Sequence, residues 1–250
     1  RKRTTPSENF KALEVAREVQ HNLLPETEIE RSGLDIAARI QYCDETGGDY
    51  IDILEGKEAR VSVVVGDVTG HGIGAALLMA TVRALIRGSY PVMDDPAGLM
   101  DGVNRNLCAD MGATGRFVTL FLLEINIVTR EMTWVRAGHD PAWLYRAATG
   151  DIRPLGGQGV ALGVERAYRF EVNRGMRMAP GDIVLIGTDG IWEAVGPEGD
   201  FFGKDRIETV LSKNAGLSAT EIGEALMAAV DGFRQHLRLA DDVSLVVVKN

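Results

Sequence analysis

Along residues 7–24, Phe10, Leu13, Ala16, Val19, Leu23 and Leu24 recur at spacings of three and four before Pro25 ends the pattern, which predicts one amphipathic helix. No hairpin partner follows nearby, so the helix suits a connecting or dimerising role as well as packing on its own domain. The period then drops to two. Leu34, Ile36, Ala38 and Ile40 alternate with polar residues over 34–42, as a half-buried strand requires, and strands over 50–54 and 60–65 follow. Helical spacing returns at 74–87, where Ala75, Leu78, Met79, Val82, Leu85 and Ile86 share a face and Pro91 forbids continuation. Another helix is expected from Pro96 to about Met111. Strands are expected over 117–125, 132–137, 143–146, 169–172 and 183–188, most with connections too short for parallel crossovers. Helices at 205–213 and after the capping box of Ser218 and Glu221 precede a closing strand, Val243–Lys249. The pattern predicts an α+β sandwich of two mainly antiparallel sheets flanked by helices. Residues 1–30 read as a linker or dimerisation helix and 31–250 as one domain.

Composition narrows what such a domain does. A chain of 250 residues with 45% hydrophobic and 25% charged residues has ample material for a core, which excludes disorder and collagen-like repeats. Lys and Arg number 27 against 36 Asp and Glu, a net charge of −9. That balance argues against nucleic acid and anionic membrane surfaces, since no long basic stripe appears beyond Arg1 to Arg3. Cys43 and Cys108 lie outside any C-x-x-C spacing, indicating neither a disulfide framework nor a thiolate zinc motif, and the reducing cytoplasm is the expected compartment. No apolar stretch approaches the ~20 residues of a membrane span. The chain begins at Arg1 and reads as a fragment lacking N-terminal material.

The chemistry is concentrated in aspartates beside glycines at strand ends. Gly47-Gly48-Asp49 opens one strand, and the strand ending at Gly66 delivers Asp67 just before a helix. The strand from Ile183 delivers Asp189 in Thr188-Asp189-Gly190, and Asp241-Asp242 precedes the last strand. Each alone is ordinary turn or cap chemistry. Together they would repel one another unless a cation sits between them, and an all-oxygen donor set suits Mg²⁺ or Mn²⁺ better than zinc. His71 and His139 are loop histidines with candidate acid-base roles, whereas His21 and His236 read as surface residues. Neither a Gly-x-Ser-x-Gly elbow nor a P-loop is present.

The ordered segments GGDYID (47–52), GDVTGHGIGAALLMA (66–80), AGHDPAWL (137–144), TDGIWEA (188–194) with Phe202-Gly203, and DDVSLVVVK (241–249) resemble the bacterial PPM, or PP2C-type, serine/threonine phosphatases of the SpoIIE/RsbU class. AREVQHNLLPE (16–26) resembles the linker helix that often precedes this domain. The resemblance implies an αββα sandwich with two divalent ions, Mn²⁺ or Mg²⁺, at one end. By position, Asp67 would bridge both ions and the Val68 carbonyl would add a ligand. Asp189 and Asp241 would complete one shell, and Asp49 would hold the other ion directly or through water. Asp242, where many eukaryotic relatives have Asn, is a further candidate, and Asp67 and Asp189 carry the implied catalytic role. The segment after Asp67 is two residues longer than the eukaryotic Asp-Gly-His-Gly, so no acid role transfers to His71. No residue matches the phosphate-gripping arginine of those enzymes, for which Arg39 and Arg116 are candidates.

The implied reaction is hydrolysis of phosphoserine or phosphothreonine by a metal-bridging hydroxide. Its implied substrate is a phosphorylated STAS-domain antagonist of an anti-sigma factor in partner switching. A sensor or receiver region missing from the N-terminal side and a homodimer through the leading helix would supply control. Two alternatives stand beside it. GGDYID is similar to the GGDEF signature of nucleotidyl cyclases, although Tyr50 replaces the acidic residue and Asp189 and Asp241 go unexplained. A phosphatase-like binding module that has lost its chemistry is the other.

Overall fold

Alternation in a single strand shows how the chain is layered. In Arg60–Val68, Val61, Val63 and Val65 face one apolar core, whereas Val64 and Val68 face another. A strand buried on both faces must sit inside a stack of layers. The computed structural model describes residues 6–31, 33–57, 59–93, 95–111 and 115–250, excepting the side chains of 6–10.

In chain order the first elements are α1 (Pro6–His21), β1 (Glu28–Arg31), β2 (Leu34–Gln41), β3 (Tyr50–Gly56), β4 (Arg60–Val68), α2 (Ile73–Ser89) and α3 (Pro96–Met111). Then come β5 (Val118–Asn126), β6 (Glu131–Ala137), β7 (Ala142–Tyr145), β8 (Ile152–Leu155), β9 (Asn173–Arg177) and β10 (Ile183–Gly187). Helices α4 (Lys204–Asn214) and α5 (Ala219–Arg234) precede β11 (Val243–Lys249). One sheet has the order β1-β2-β11-β10-β7-β8 and the other β3-β4-β5-β6-β9. All pairings between these strands are antiparallel.

Leu34 and Ile36 of β2, Phe121 and Leu123 of β5, Val184 and Ile186 of β10, and Val246 and Val248 of β11 fill the space between the sheets. Met79, Val82 and Ile86 of α2 and Met100, Val103 and Leu107 of α3 cover the outer face of the five-stranded sheet. Ile207 and Leu211 of α4 with Ile222, Leu226 and Val230 of α5 cover the six-stranded one. The result is the expected αββα sandwich. The capping box at Ser218 forms: its hydroxyl accepts the Glu221 N–H, and the Glu221 carboxylate accepts the Ser218 N–H.

The strand expected at 169–172 is not one. Phe170 is instead a loop anchor in the α2/α3 core, its N–H donating to Asp101 at 3.0 Å, and the strand lies further on, at β9. In α1 the inward position expected for Val19 falls to Gln20, which is buried, while Val15 and Val19 are exposed.

Candidate metal centre

The two sheets present their chemistry at one shared edge. Asp49 immediately precedes β3, whose first residue Tyr50 pairs with Gly66 of β4, and Asp67 lies within β4 opposite Thr119. Asp189 follows β10, and Asp241 and Asp242 precede β11, the neighbour of β10 in the other sheet. Hydrogen bonds sew the edges together. The Thr188 hydroxyl donates to the Asp49 carboxylate at 2.9 Å, and buried Asp242 accepts the Cys43 N–H at 2.8 Å and the Gly48 N–H at 2.7 Å.

These approaches require the glycine pair. A Cβ on Gly47 would lie 2.0 Å from the Tyr42 ring and 2.2 Å from Asp242, and one on Gly48 would lie 2.8 Å from the Val68 carbonyl oxygen. Any side chain there would push the 47–49 segment, and Asp49 with it, off the edge. From the other side, α1 reads the same loop: Gln20 donates its amide to the Gly47 carbonyl at 2.7 Å and accepts the Gly47 N–H at 3.1 Å.

The electrostatics follow first from burial and then from packing acids together. Burial, then the charges of Asp67 and Asp242, holds Asp49 well above the carboxylate range despite the Thr188 hydrogen bond. Burial, then Asp189, Asp241 and Asp242, lifts Asp67 from 3.8 to about 7. Asp189 rises to about 6 through burial and then Glu193, Asp241 and Asp140. Asp241 rises too, chiefly by burial. Capping does not explain Asp67, because α2 starts after Gly72 with no side-chain cap. Buried acids that further suppress one another's ionisation are what a divalent cation resolves, and the aspartates offer only oxygen, so these residues fit Mn²⁺ or Mg²⁺.

The histidines behave differently. His139 is 3% exposed, and its Nε2 lies 3.0 Å from the Gly187 carbonyl, which can only accept. Nε2 therefore carries the proton, and Nδ1 accepts from the Thr119 hydroxyl at 2.9 Å. Burial lowers its pKa to about 4. His139 is thus a neutral tie from β5 to β10 behind the aspartates. His71 is exposed and paired with Asp44 at 2.5 Å, a contact that raises its pKa. His21 and His236 are exposed. Arg39 is engaged by Glu28 at 3.0 Å and Glu224 at 3.2 Å. Arg116 stands at the first turn of α2, where a Gly74 Cβ would lie 2.9 Å from its guanidinium.

Sequence reading missed Gln20 and Thr188. Gln20 had a signal, since it continues the inward spacing of Leu13 and Ala16 on α1. Thr188 had none beyond adjacency to Asp189.

An αββα sandwich with an acidic edge shared by both sheets defines a PP2C-type phosphatase domain. Residues 57–250 match the Stage II sporulation protein E (SpoIIE) family, and the chain belongs to that family. It is 25% identical over 237 residues to phosphoserine phosphatase RsbU of Bacillus subtilis, covering 95% of this chain and 69% of RsbU. To phosphoserine phosphatase RsbP of the same organism it is 27% identical over 184 residues, 72% of this chain and 45% of RsbP. Among solved structures, the SiaA-PP2C domain of Pseudomonas aeruginosa aligns with a TM-score of 0.83 at 20% identity, covering 98% of each chain. The PP2C domain of Bacillus subtilis SpoIIE with a fragment of its regulatory domain aligns at 0.73 and 18%, covering 90% of this chain and 64% of that one. The chain is a protein serine/threonine phosphatase of a metal-dependent class. Among the described residues no helix is long and apolar enough to cross a membrane.

Proposed function

We propose that the chain hydrolyses phosphoserine or phosphothreonine on a regulatory protein, using two Mn²⁺ or Mg²⁺ ions held at the aspartate edge. The observation that carries this is the pattern of mutual charge. Asp67 stands in the field of Asp189 and Asp241, and Asp49 stands in the field of Asp67, so Asp67 is the link between two acidic groups from different sheets. Asp67 would therefore be the residue placed to serve both ions of a two-ion site. Asp189 and Asp241 would hold one ion and Asp49 the other. The Val68 carbonyl, turned toward Gly48, would supply a backbone oxygen.

Asp242 already spends both oxygens on backbone N–H groups, which makes positioning of the 43–48 loop its principal work and direct ligation secondary. Thr188 fixes the rotamer of Asp49, and His139 holds the two sheets in register behind it. Ions bound there would lower the pKa of a coordinated water toward neutrality and draw charge from the phosphoryl oxygens.

For the substrate we favour a phosphorylated STAS-domain antagonist of an anti-sigma factor. Similarity to RsbU, and to the RsbU and RsbW domains of Rv1364c from Mycobacterium tuberculosis (25% identity, TM-score 0.72, 86% of this chain and 59% of that one), supports this reading. An upstream sensor or receiver region and a homodimer through α1 complete the proposal, the dimer supported by exposed Val15 and Val19. A cytoplasmic setting accords with Cys43 and Cys108 being free thiols. The test is release of phosphate from a phosphoserine STAS protein with Mn²⁺, in EDTA, and with Asp67→Ala or Asp189→Ala. Turnover that persists in EDTA or in both variants would overturn the proposal. Mn²⁺ binding without turnover on any phosphoprotein would favour the inactive binding module.

A further inference from the structure

We propose that Cys43, Asp44 and His71 form a second cation site, for a thiophilic divalent ion of the zinc class, on the wall of the aspartate cluster. One ligand atom from each lies within 4.8 Å of the others. Zinc bonds of about 2.0–2.3 Å put tetrahedral ligands roughly 3.3–3.8 Å apart, so closing on an ion needs movements of about 1 Å.

Two loops supply the donors. Cys43 and Asp44 lie between β2 and β3, and His71 lies between β4 and α2. The loops are already held. The Cys43 N–H is fixed by buried Asp242, and His71 stands between Gly70 and Gly72, whose φ values of 83° and 76° give the turn its shape. The 2.5 Å contact of Asp44 with His71 joins the two loops. An ion would part this carboxylate and imidazole, because tetrahedral ligand atoms stand roughly 3.3–3.8 Å apart. Entry is open, the His71 and Asp44 side chains being 61% and 50% exposed.

Donor chemistry separates this site from its neighbour. Sulfur, nitrogen and oxygen together select zinc, cobalt or cadmium, while the all-oxygen edge selects manganese or magnesium. Cys43 would bind as the thiolate with its proton passing to solvent, His71 as the neutral imidazole, and solvent would fill the fourth position. The Cys43 sulfur also lies within 4.8 Å of carboxylate oxygens of Asp241 and Asp242. An ion on Cys43 therefore places a second positive charge beside Asp241, and its occupancy opposes Mn²⁺ loading of the aspartate edge.

Cobalt is the probe, because thiolate ligation gives a sulfur-to-cobalt charge-transfer band that carboxylate ligation does not. The EDTA-stripped chain titrated with Co²⁺ should show that band and lose it on adding Zn²⁺. Cys43→Ser should abolish it, and Asp44→Asn and His71→Ala should each weaken Co²⁺ affinity at this band by ~10-fold or more. Asp67→Asn, which disables the aspartate edge, should keep the band. Zn²⁺ should inhibit Mn²⁺-supported phosphate release by the wild type and do so at least ~10-fold less potently in Cys43→Ser. Three outcomes overturn the proposal: a cobalt spectrum with no sulfur band, a band surviving Cys43→Ser, or a band lost with Asp67→Asn. The last would make Cys43 part of the aspartate edge. The band is read without turnover, so failure of the phosphatase mechanism and failure of this site are told apart.

Discussion

Replacing Asp67 with Asn should make the metal-free protein more stable while making it unable to use metal. In the folded state burial and three neighbouring carboxylates lift the Asp67 pKa from 3.8 to about 7. A lift of that size corresponds to ~4 kcal/mol of disfavoured ionisation at most. The sign follows from proton uptake. The folded chain binds this proton more tightly than the unfolded chain, so stability falls as pH rises from about 4 to about 7 and the deficit is complete above that. Asn keeps the shape and removes the charge, so the variant does not suffer the deficit.

At about pH 8 in EDTA, Asp67→Asn should exceed the wild type by up to ~4 kcal/mol, and at about pH 5 by less than ~2 kcal/mol. In a chain of this length each kcal/mol moves Tm by about 2–4 °C, so the alkaline gap is on the order of 10 °C. Calorimetric melts of both proteins at the two pH values read it directly. Saturating Mn²⁺ should then raise the wild type by ~3 kcal/mol at a hundredfold excess over Kd and leave the variant where it was. If the variant melts no higher than the wild type at alkaline pH in EDTA, the aspartates are not suppressing one another and the electrostatic argument for a metal site fails.

The remaining predictions use the same site. Asp189→Ala should abolish metal-dependent phosphate release with little loss of stability, since Asp189 stands at the end of β10 and is not fully buried; activity within tenfold of wild type would remove it from the site. Mn²⁺ affinity should climb from about pH 5 to about pH 8 and level off above, because Asp189, at about 6, and Asp67, at about 7, must shed protons to ligate. Calorimetry in buffers of different ionisation enthalpy should find proton release near pH 6 that fades near pH 8. Gln20→Ala removes both hydrogen bonds to Gly47 and should weaken Mn²⁺ binding ~10-fold while the far-ultraviolet circular dichroism stays unchanged. Undiminished affinity would mean that α1 does not position the Asp49 loop.

The layers were legible in the sequence because most of these strands are buried on at least one face. Val61 to Val65 and Val243 to Val248 declare their cores by composition alone, and the spacing from Ala75 to Ile86 declares α2. What escaped were edge strands. β1 (EIER), β8 (IRPL, with Pro154) and β9 (NRGMR) each lie at the end of a sheet, where solvent removes the need for alternation and polar residues or proline blunt the edge. The aspartates were found as residue types at strand ends, but the division of labour among them was not. Asp242 and Asp241 are adjacent and chemically identical. Both act electrostatically on Asp67, and only the fold shows that Asp242 also serves the backbone N–H groups of Cys43 and Gly48 across the edge. His139 was ambiguous for the same reason: a Gly-His-Asp turn does not say that the ring will be buried between Thr119 and Gly187.

The sandwich accounts for why acids gather at this edge and stay there. Packed sheets stand about 10 Å apart, a separation fixed by interdigitated apolar side chains. Here Val61, Val63 and Val65 of β4 meet Val246 and Val248 of β11 in that core. Asp67 continues the inward-facing alternation of β4 beyond Val65, and Asp242 and Asp241 lie just ahead of the alternating run of β11. The same packing that holds the sheets together thus brings their carboxylates to one edge, where Asp242 and Thr188 of one sheet hydrogen-bond the Gly48–Asp49 segment of the other. Mutual repulsion of the metal-free cluster is opposed by the whole apolar interface, with Gly48, Asp242, Thr188 and His139 fixing where the force falls. Affinity for divalent ions is then a property of the sheet spacing as much as of the ligands. Trimming the shared core beneath the edge should loosen metal binding even though no ligand is touched.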